Sequence, residues 1–238
     1  MVKHKIIRLI KDPIGTITRE LRRRLRRYKY QSRYVEDAEP HWANRLGKYG
    51  FDLRGVGNEG LSHEENERVY LQARGVFETL CKNENVDFAK VRMLDVGCGT
   101  GFYAKVFAEN GGTDYLGVDI TDTLFDRLRE EFPTFKFRKL DITKQQLDGL
   151  FGLIIMIDVT QHITDEEKFS FAMQNIKSHL NQNGIFIVTS WLRERTQFNY
   201  YEVSRPFEVY KKEFPDFIFS TPLPFRDKFI FAIKSNPK

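Results

Sequence analysis

The chain has 238 residues, 41% apolar and 30% charged, which is the balance of a soluble globular protein large enough for one sizeable core. No apolar run reaches the roughly 18 residues that a membrane-spanning helix needs, and the N-terminus lacks the uninterrupted apolar stretch of a secretory signal. With only Cys81 and Cys98, a disulfide framework or metal-ligand cluster is excluded and a reducing cytoplasm is the expected setting.

The net charge of +5 is unevenly spread: residues 1–34 hold 12 lysines and arginines against two acids, a net of +10, which leaves −5 on the remainder. Asp12-Pro13 divides this stretch into two helical pieces. In the second, Ile17, Leu21, Leu25 and Tyr28 recur at helical spacing while arginines fill the other faces. A basic amphipathic arm of this kind suits an anionic membrane surface or a membrane-bound complex at the inner face of the membrane. Nucleic-acid phosphate is a weaker fit, and a solvated extension is the plain alternative.

Residues 35–62 have little periodicity and read as loop with short helix. Their aromatics, among them Trp42, Tyr49 and Phe51, suggest a lid or substrate cover, because functional groups concentrate on loops carried by a rigid scaffold. Ser62 and Glu65 make a capping box, opening a helix whose Val69, Ala73, Val76, Phe77 and Leu80 form one apolar stripe.

Residues 63–238 then alternate between strand and helix. Val91–Val96 is a strand that runs into Gly97-Cys98-Gly99-Thr100-Gly101, and the following helix, 101–109, stops at Asn110-Gly111-Gly112. Tyr115–Val118 is a strand ending at Asp119, and a helix over 122–132 stops before Pro133. Phe135–Leu140 is a strand ending at Asp141. Phe151–Ile157 is a continuous apolar run ending at Asp158, as a strand buried on both faces requires. Thr164 and Glu167 predict a second capping box, before a helix presenting Phe169, Ala172, Met173, Ile176 and Leu180. Asn183-Gly184 turns the chain into strand 185–190, residues 191–214 show no clean period, and two final strands, 217–221 and 228–234, are joined through Pro222–Pro224. The alternation predicts an α/β protein with a mostly parallel sheet, helices on both faces and an antiparallel C-terminal edge strand.

A parallel sheet gathers the C-terminal ends of its strands on one rim, where ligands bind. Here that rim would carry Asp95, Asp119, Asp141 and Asp158 beside the glycine loop. Asp119 lies 22 residues after Gly97, near the spacing at which an acid accepts the hydroxyls of a ribose. The glycines follow GxGxG, not the GxGxxG of dinucleotide sites, since Phe102 stands where the third glycine belongs, and no GxxxxGK[ST] loop is present. A nucleoside without pyrophosphate is the ligand this pattern predicts.

Leu94-Asp95-Val96-Gly97-Cys98-Gly99-Thr100-Gly101, with Gly117-Val118-Asp119, Leu140-Asp141-Ile142 and Phe151–Ile163, resembles the motifs of the class I S-adenosylmethionine-dependent methyltransferases. The resemblance covers roughly residues 63–235 and implies a Rossmann-like fold of seven strands. It implies S-adenosyl-L-methionine as cofactor and S-adenosyl-L-homocysteine as product. It places Asp95, Gly97, Cys98, Gly99 and Gly101 along the methionine half, Asp119 on the ribose, and Asp141 with Ile142 beside adenine, with Tyr70, Ile120 and Ile157 completing the cofactor set. Thr160, Gln161 or His162 would lie near the sulfonium and the substrate. The chain has Asp-Val-Thr-Gln where relatives acting on exocyclic base nitrogens often carry Asn-Pro-Pro-Tyr, which argues against DNA adenine methylation.

Methyl transfer from a sulfonium chiefly needs alignment of donor and acceptor, and an alcohol acceptor also needs a base. His162 and Asp158 are the candidate catalytic residues. The acceptor pocket is expected from residues 41–60 and 191–214, with Trp42, Arg54, Trp191, Arg193, Tyr200 and Tyr201 as substrate-binding groups and Arg195 and Arg205 as further donors. The expected activity is O-methylation of a glycan, a lipid-linked saccharide or a small envelope metabolite. RNA methylation through the basic arm and cofactor binding without turnover are the alternatives.

Overall fold

The computed structural model describes residues 29–235. The predicted basic amphipathic arm therefore lies outside the described residues except for 29–34, which belong to a helical stretch over 29–36. The next helix is α1 (Glu39–Tyr49), then α2 (His63–Asn83). The sheet domain follows as β1 (Arg92–Val96), α3 (Phe102–Glu109), β2 (Asp114–Asp119), α4 (Phe125–Glu131), β3 (Lys136–Lys139), β4 (Phe151–Met156), α5 (Glu166–Ser178) and β5 (Leu180–Ser190). It ends with α6 (Phe207–Glu213), β6 (Phe217–Phe219), β7 (Leu223–Phe225) and β8 (Lys228–Ser235).

Strand order is β3-β2-β1-β4-β5-β8-β6, with β7 paired to β8 off that path. The first five strands pair in parallel and β8 runs antiparallel to its neighbours. Alternation along each strand sorts its side chains between two cores. Met93, Leu153, Ile155 and Ile187 enter the core on one face of the sheet, while Leu94, Ile154, Met156 and Phe186 enter the core on the other. A slip of one residue would exchange the two sets. Each fully buried side chain of this size contributes about 1.5–3 kcal/mol, so register is strongly specified. Because the strand order reverses between β1 and β4, the crevice for a ligand opens at their C-terminal ends.

Several details depart from the sequence reading, among them Leu180 and Asn183-Gly184, expected at a helix end and a turn, which belong to β5. Residues 39–49, in a stretch expected as loop with short helix, form the 11-residue α1, with Pro40 in its first turn. The second capping box does not form: the N-cap of α5 is Asp165, which accepts from the Lys168 backbone N–H, and Thr164 Oγ1 is buried without a partner. The aperiodic 191–214 stretch contains α6, whose seven residues make about two turns, too few for a period to register. The sheet has eight strands, because the Pro224 stretch pairs as β7, and β8 is an interior strand with β6 beyond it. A three-residue strand with a central proline offers no alternation to read. The Ser62–Glu65 capping box, in contrast, is fully formed.

Candidate active site

The β1–α3 turn is held by backbone conformations that L side chains avoid: Gly97 has φ 77° and Gly99 φ 49°. Space is equally restrictive, since a Cβ on Gly97 would lie 2.4 Å from Val159 Cγ2 and one on Gly99 2.7 Å from Val56 Cγ1. The loop is thus pressed between the chain after β4 and the N-terminal cover. Gly97 and Cys98 both donate their backbone N–H to the Val118 carbonyl, and the Gly99 N–H donates to Asp119 Oδ2 at 3.0 Å. Asp119, at the end of β2, also accepts from the Thr121 N–H. Burial pushes its pKa up to about 6, against the pull of these backbone donors.

A cleft opens above this loop. Of the predicted cofactor residues, Gly97, Cys98, Gly99, Asp119, Ile120, Asp141, Ile142, Ile157 and Tyr70 line it. Asp95 and Gly101 do not. Asp95 lies below the loop, where the Tyr115 hydroxyl donates to Oδ2 at 2.7 Å, and burial raises its pKa to about 7. Gly101 is the N-cap of α3, with φ 75°, and turns the chain.

Of the predicted catalytic and acceptor residues, His162, Asp158 and Trp42 line the cleft. His162 Nδ1–H donates to the Tyr201 carbonyl at 2.9 Å, because a carbonyl can only accept. That fixes the tautomer and leaves Nε2 with its lone pair, 3.4 Å from the Gln161 amide nitrogen. Burial lowers the His162 pKa to about 3, so the ring is neutral at physiological pH. Asp158 sits at φ 58° between Arg226, at 2.5 Å, and Lys228, at 3.3 Å. Burial alone would raise its pKa, but the two cations outweigh this and hold it below the usual carboxylate value. A carboxylate paired with two cations is a poor proton acceptor.

The other acceptor candidates are employed elsewhere. Arg54 is paired with Asp52 outside the cleft. Trp191 Nε1 donates to Asp227 at 2.8 Å, and Arg193 lies over the rings of Trp191 and Phe198; neither reaches the cleft. Tyr200 and Tyr201 do not line it either but back the residues that do: Tyr201 stacks on His162 with centroids 5.8 Å apart, and Tyr200 meets His41 edge-on. Arg195 is paired with Glu166. Arg205, only 1% exposed, joins the Thr160 and Ile163 carbonyls to Glu166 over the Phe169 ring, an internal brace for the strand-four loop.

The sequence reading missed the N-terminal cover's geometry and Arg226. Tyr34 donates its hydroxyl proton to the His162 carbonyl and accepts from Trp42 Nε1, both at 3.1 Å. Lys168 Nζ donates to the Val35 carbonyl, and Lys139 pairs with Glu39. These contacts draw residues 34–42 over the cleft. His162, Lys168 and Lys139 lie 100 or more residues from the cover residues they hold, and no local pattern announces them. Arg226 lies in the two-residue turn between β7 and β8 and lines the cleft with Tyr70 and Tyr103. Among the described residues no cluster of His, Cys, Asp and Glu could hold a metal ion, and no helix is long and apolar enough to cross a membrane.

A family model described as "Methyltransferase domain" matches residues 93–184. The chain is 25% identical over 174 residues to the ubiquinone biosynthesis O-methyltransferase of Rickettsia prowazekii, a match covering 68% of this chain and 59% of that protein. It is 24% identical over 100 residues to the dTDP-3-amino-3,4,6-trideoxy-alpha-D-glucopyranose N,N-dimethyltransferase of Streptomyces venezuelae, 42% of each. The chain thus spans about three fifths of the length of the ubiquinone-pathway relatives it matches. In fold it is similar to a Burkholderia thailandensis 1,6-didemethyltoxoflavin-N1-methyltransferase solved with S-adenosylhomocysteine, with a TM-score of 0.59, 14% identity and coverage of 82% of this chain and 89% of that one. Residues 93–184 thus match a methyltransferase domain, on a fold similar to that of solved S-adenosylmethionine-dependent methyltransferases.

Neighbours of this fold are solved with S-adenosylhomocysteine or S-adenosylmethionine bound, and the residues present here fit that cofactor. Asp119 offers a buried carboxylate for a ribose, and Ile120, Leu140, Ile142 and Ile163 give apolar walls for a base. Polar atoms buried without a partner remain for its amino-acid end, on Arg226 and at the Tyr103 hydroxyl.

Proposed function

We propose that this protein methylates an oxygen of a small saccharide-like acceptor, such as a glycan terminus, a lipid-linked sugar or a related envelope metabolite. The observation that carries this reading is the aromatic and imidazole wall at the cleft. Trp42 meets His162 edge-on with ring centroids 4.7 Å apart, and Tyr200, Tyr201 and His41 pack behind them. Flat apolar faces interleaved with polar edges suit a sugar ring. A relative acting on a nucleotide-linked amino sugar supports the same acceptor class.

S-adenosyl-L-methionine supplies an electrophilic methyl group when bound. The protein's part is to align the acceptor and take its proton. His162 is oriented for this, because donation from Nδ1 to the Tyr201 carbonyl leaves Nε2 as an acceptor. Asp158, tied to Arg226 and Lys228, instead holds the β7–β8 turn against the end of β4. The basic segment 1–34 would bring the enzyme to anionic lipid carrying the acceptor.

N-methylation is a second reading, favoured by the low basicity of both candidate bases: His162 is lowered to about 3 and Asp158 is held below its usual value. An amine brings its own lone pair and needs no strong base in the cleft. Labelled cofactor, a fractionated cell extract and a panel of matched sugar alcohols and amino sugars test both. Label in an alkali-stable methyl ether supports oxygen as the acceptor, and label in a methylamine supports nitrogen. Transfer to RNA alone would overturn the saccharide reading.

A further inference from the structure

Arg226 is an anomaly of placement. It occupies a two-residue hairpin turn, closed by the Phe225–Lys228 pair, at φ 55°, a position that glycine or asparagine normally takes. Its partner Asp158 has φ 58°. The ion pair therefore joins two of the five non-glycine residues with positive φ among the described residues. Strain of this kind persists where the surroundings over-determine it, typically at a ligand site.

The guanidinium is also half used. Its side chain is 12% exposed. Nη1 is bound by Asp158 at 2.5 Å, and the Tyr70 ring covers it at 4.0 Å. Nε and Nη2 are buried without any partner. Lys228, 9% exposed, already holds the other oxygen of Asp158 at 3.3 Å, so one carboxylate faces two cations. Two adjacent N–H groups on one edge of a guanidinium match the two oxygens of a carboxylate, and Arg226 belongs to the wall of the cofactor cleft.

We propose that Arg226, through Nε and Nη2, binds the α-carboxylate of the methionine end of the cofactor, while Nη1 keeps Asp158. This inference rests on the methyltransferase reading. The amino-acid end is then gripped by the C-terminal hairpin in addition to the glycine loop, and the hairpin's position is tied to cofactor occupancy. The same fork could serve a carboxylate on an acceptor, and the ligand pair below separates the two sources.

Calorimetry on the full chain should compare S-adenosylmethionine with its decarboxylated analogue, which differs only by the carboxylate. The wild-type protein is expected to favour S-adenosylmethionine, and Arg226→Gln and Arg226→Lys to lose about 10- to 100-fold of that affinity. Affinity for the analogue should change less than about threefold, so the two ligands converge. Arg226→Lys, which keeps a cation beside Asp158, should show the same convergence with a smaller fall in melting temperature than Arg226→Gln. Equal losses for both ligands would assign Arg226 a merely structural role and overturn the proposal. Unchanged S-adenosylmethionine affinity would overturn it too and would leave an acceptor carboxylate as the fork's target. Wild-type protein that binds neither ligand would instead overturn the methyltransferase reading itself.

Discussion

The two halves of the cleft are built in different ways. The cofactor half is local: β1, its glycine turn and the end of β2 are neighbours in the sheet, and Asp119 reaches the loop through one hydrogen bond to the Gly99 N–H. The other half, which we propose takes the acceptor, is assembled from distant pieces, with Trp42 and Tyr34 from the N-terminal cover and His162 from the loop after β4. The first half is rigid because backbone geometry fixes it. The second depends on side-chain contacts such as Tyr34 to the His162 carbonyl, so it is the half that substitution can retune.

Substitutions can break or sharpen this contrast. The largest effect is expected at Asp119: Asp119→Ala should weaken S-adenosylhomocysteine binding about 100-fold or more, measured by calorimetry, and near-normal affinity would remove the ribose assignment. Next comes the brace of the acceptor half. Arg205→Ala strands the Thr160 and Ile163 carbonyls and Glu166, so urea unfolding should show a loss of about 3 kcal/mol. His162→Gln should lower turnover by about 100-fold while leaving cofactor affinity within about threefold. Full turnover at saturating acceptor would place the base elsewhere. The smallest effects belong to Trp191→Ala and Arg193→Ala, which lie outside the cleft and should shift cofactor affinity by less than about threefold.

The pH dependences separate the halves further. Asp119 must be ionised to accept from two hydroxyls, and burial raises its pKa to about 6. Affinity for S-adenosylhomocysteine should therefore fall as pH drops through about 6, approaching tenfold per pH unit below it. His162 works on stability. Its folded pKa, about 3, lies below the unfolded value near 6.5, so the unfolded chain binds the extra proton between these values. The protein loses stability as pH falls through that window, and His162→Phe should flatten this limb in thermal melts.

Much of the cofactor half was legible because its determinants are contiguous. Gly97 and Gly99 announce positive φ, and an apolar run ending in an acid announces a buried strand and its rim. Asp95 shows the limit of such reading: the motif contains it, yet in the fold it lies beneath the loop against Tyr115. The acceptor half was poorly legible. Arg54, Trp191, Arg193 and Arg205 have the right chemistry for a sugar site, but each is taken up by Asp52, Asp227, aromatic rings or carbonyls. Residue type shows what a side chain can bind, not which partner reaches it first.

The amino-acid sequence by itself determined the alternating elements, the two-sided burial of the sheet, the glycine turn and the acid at the end of β2, because periodicity and backbone preference act over a few residues. Only the tertiary structure decided that α1 and Tyr34 lie over the cleft, that Asp158 is neutralised from the β7–β8 turn, and that Arg226, in the cleft wall, keeps two buried nitrogens without a partner. Those outcomes depend on which of several polar groups meet when the sheet closes against its neighbours, and the energies involved exist only once water has been excluded from between them.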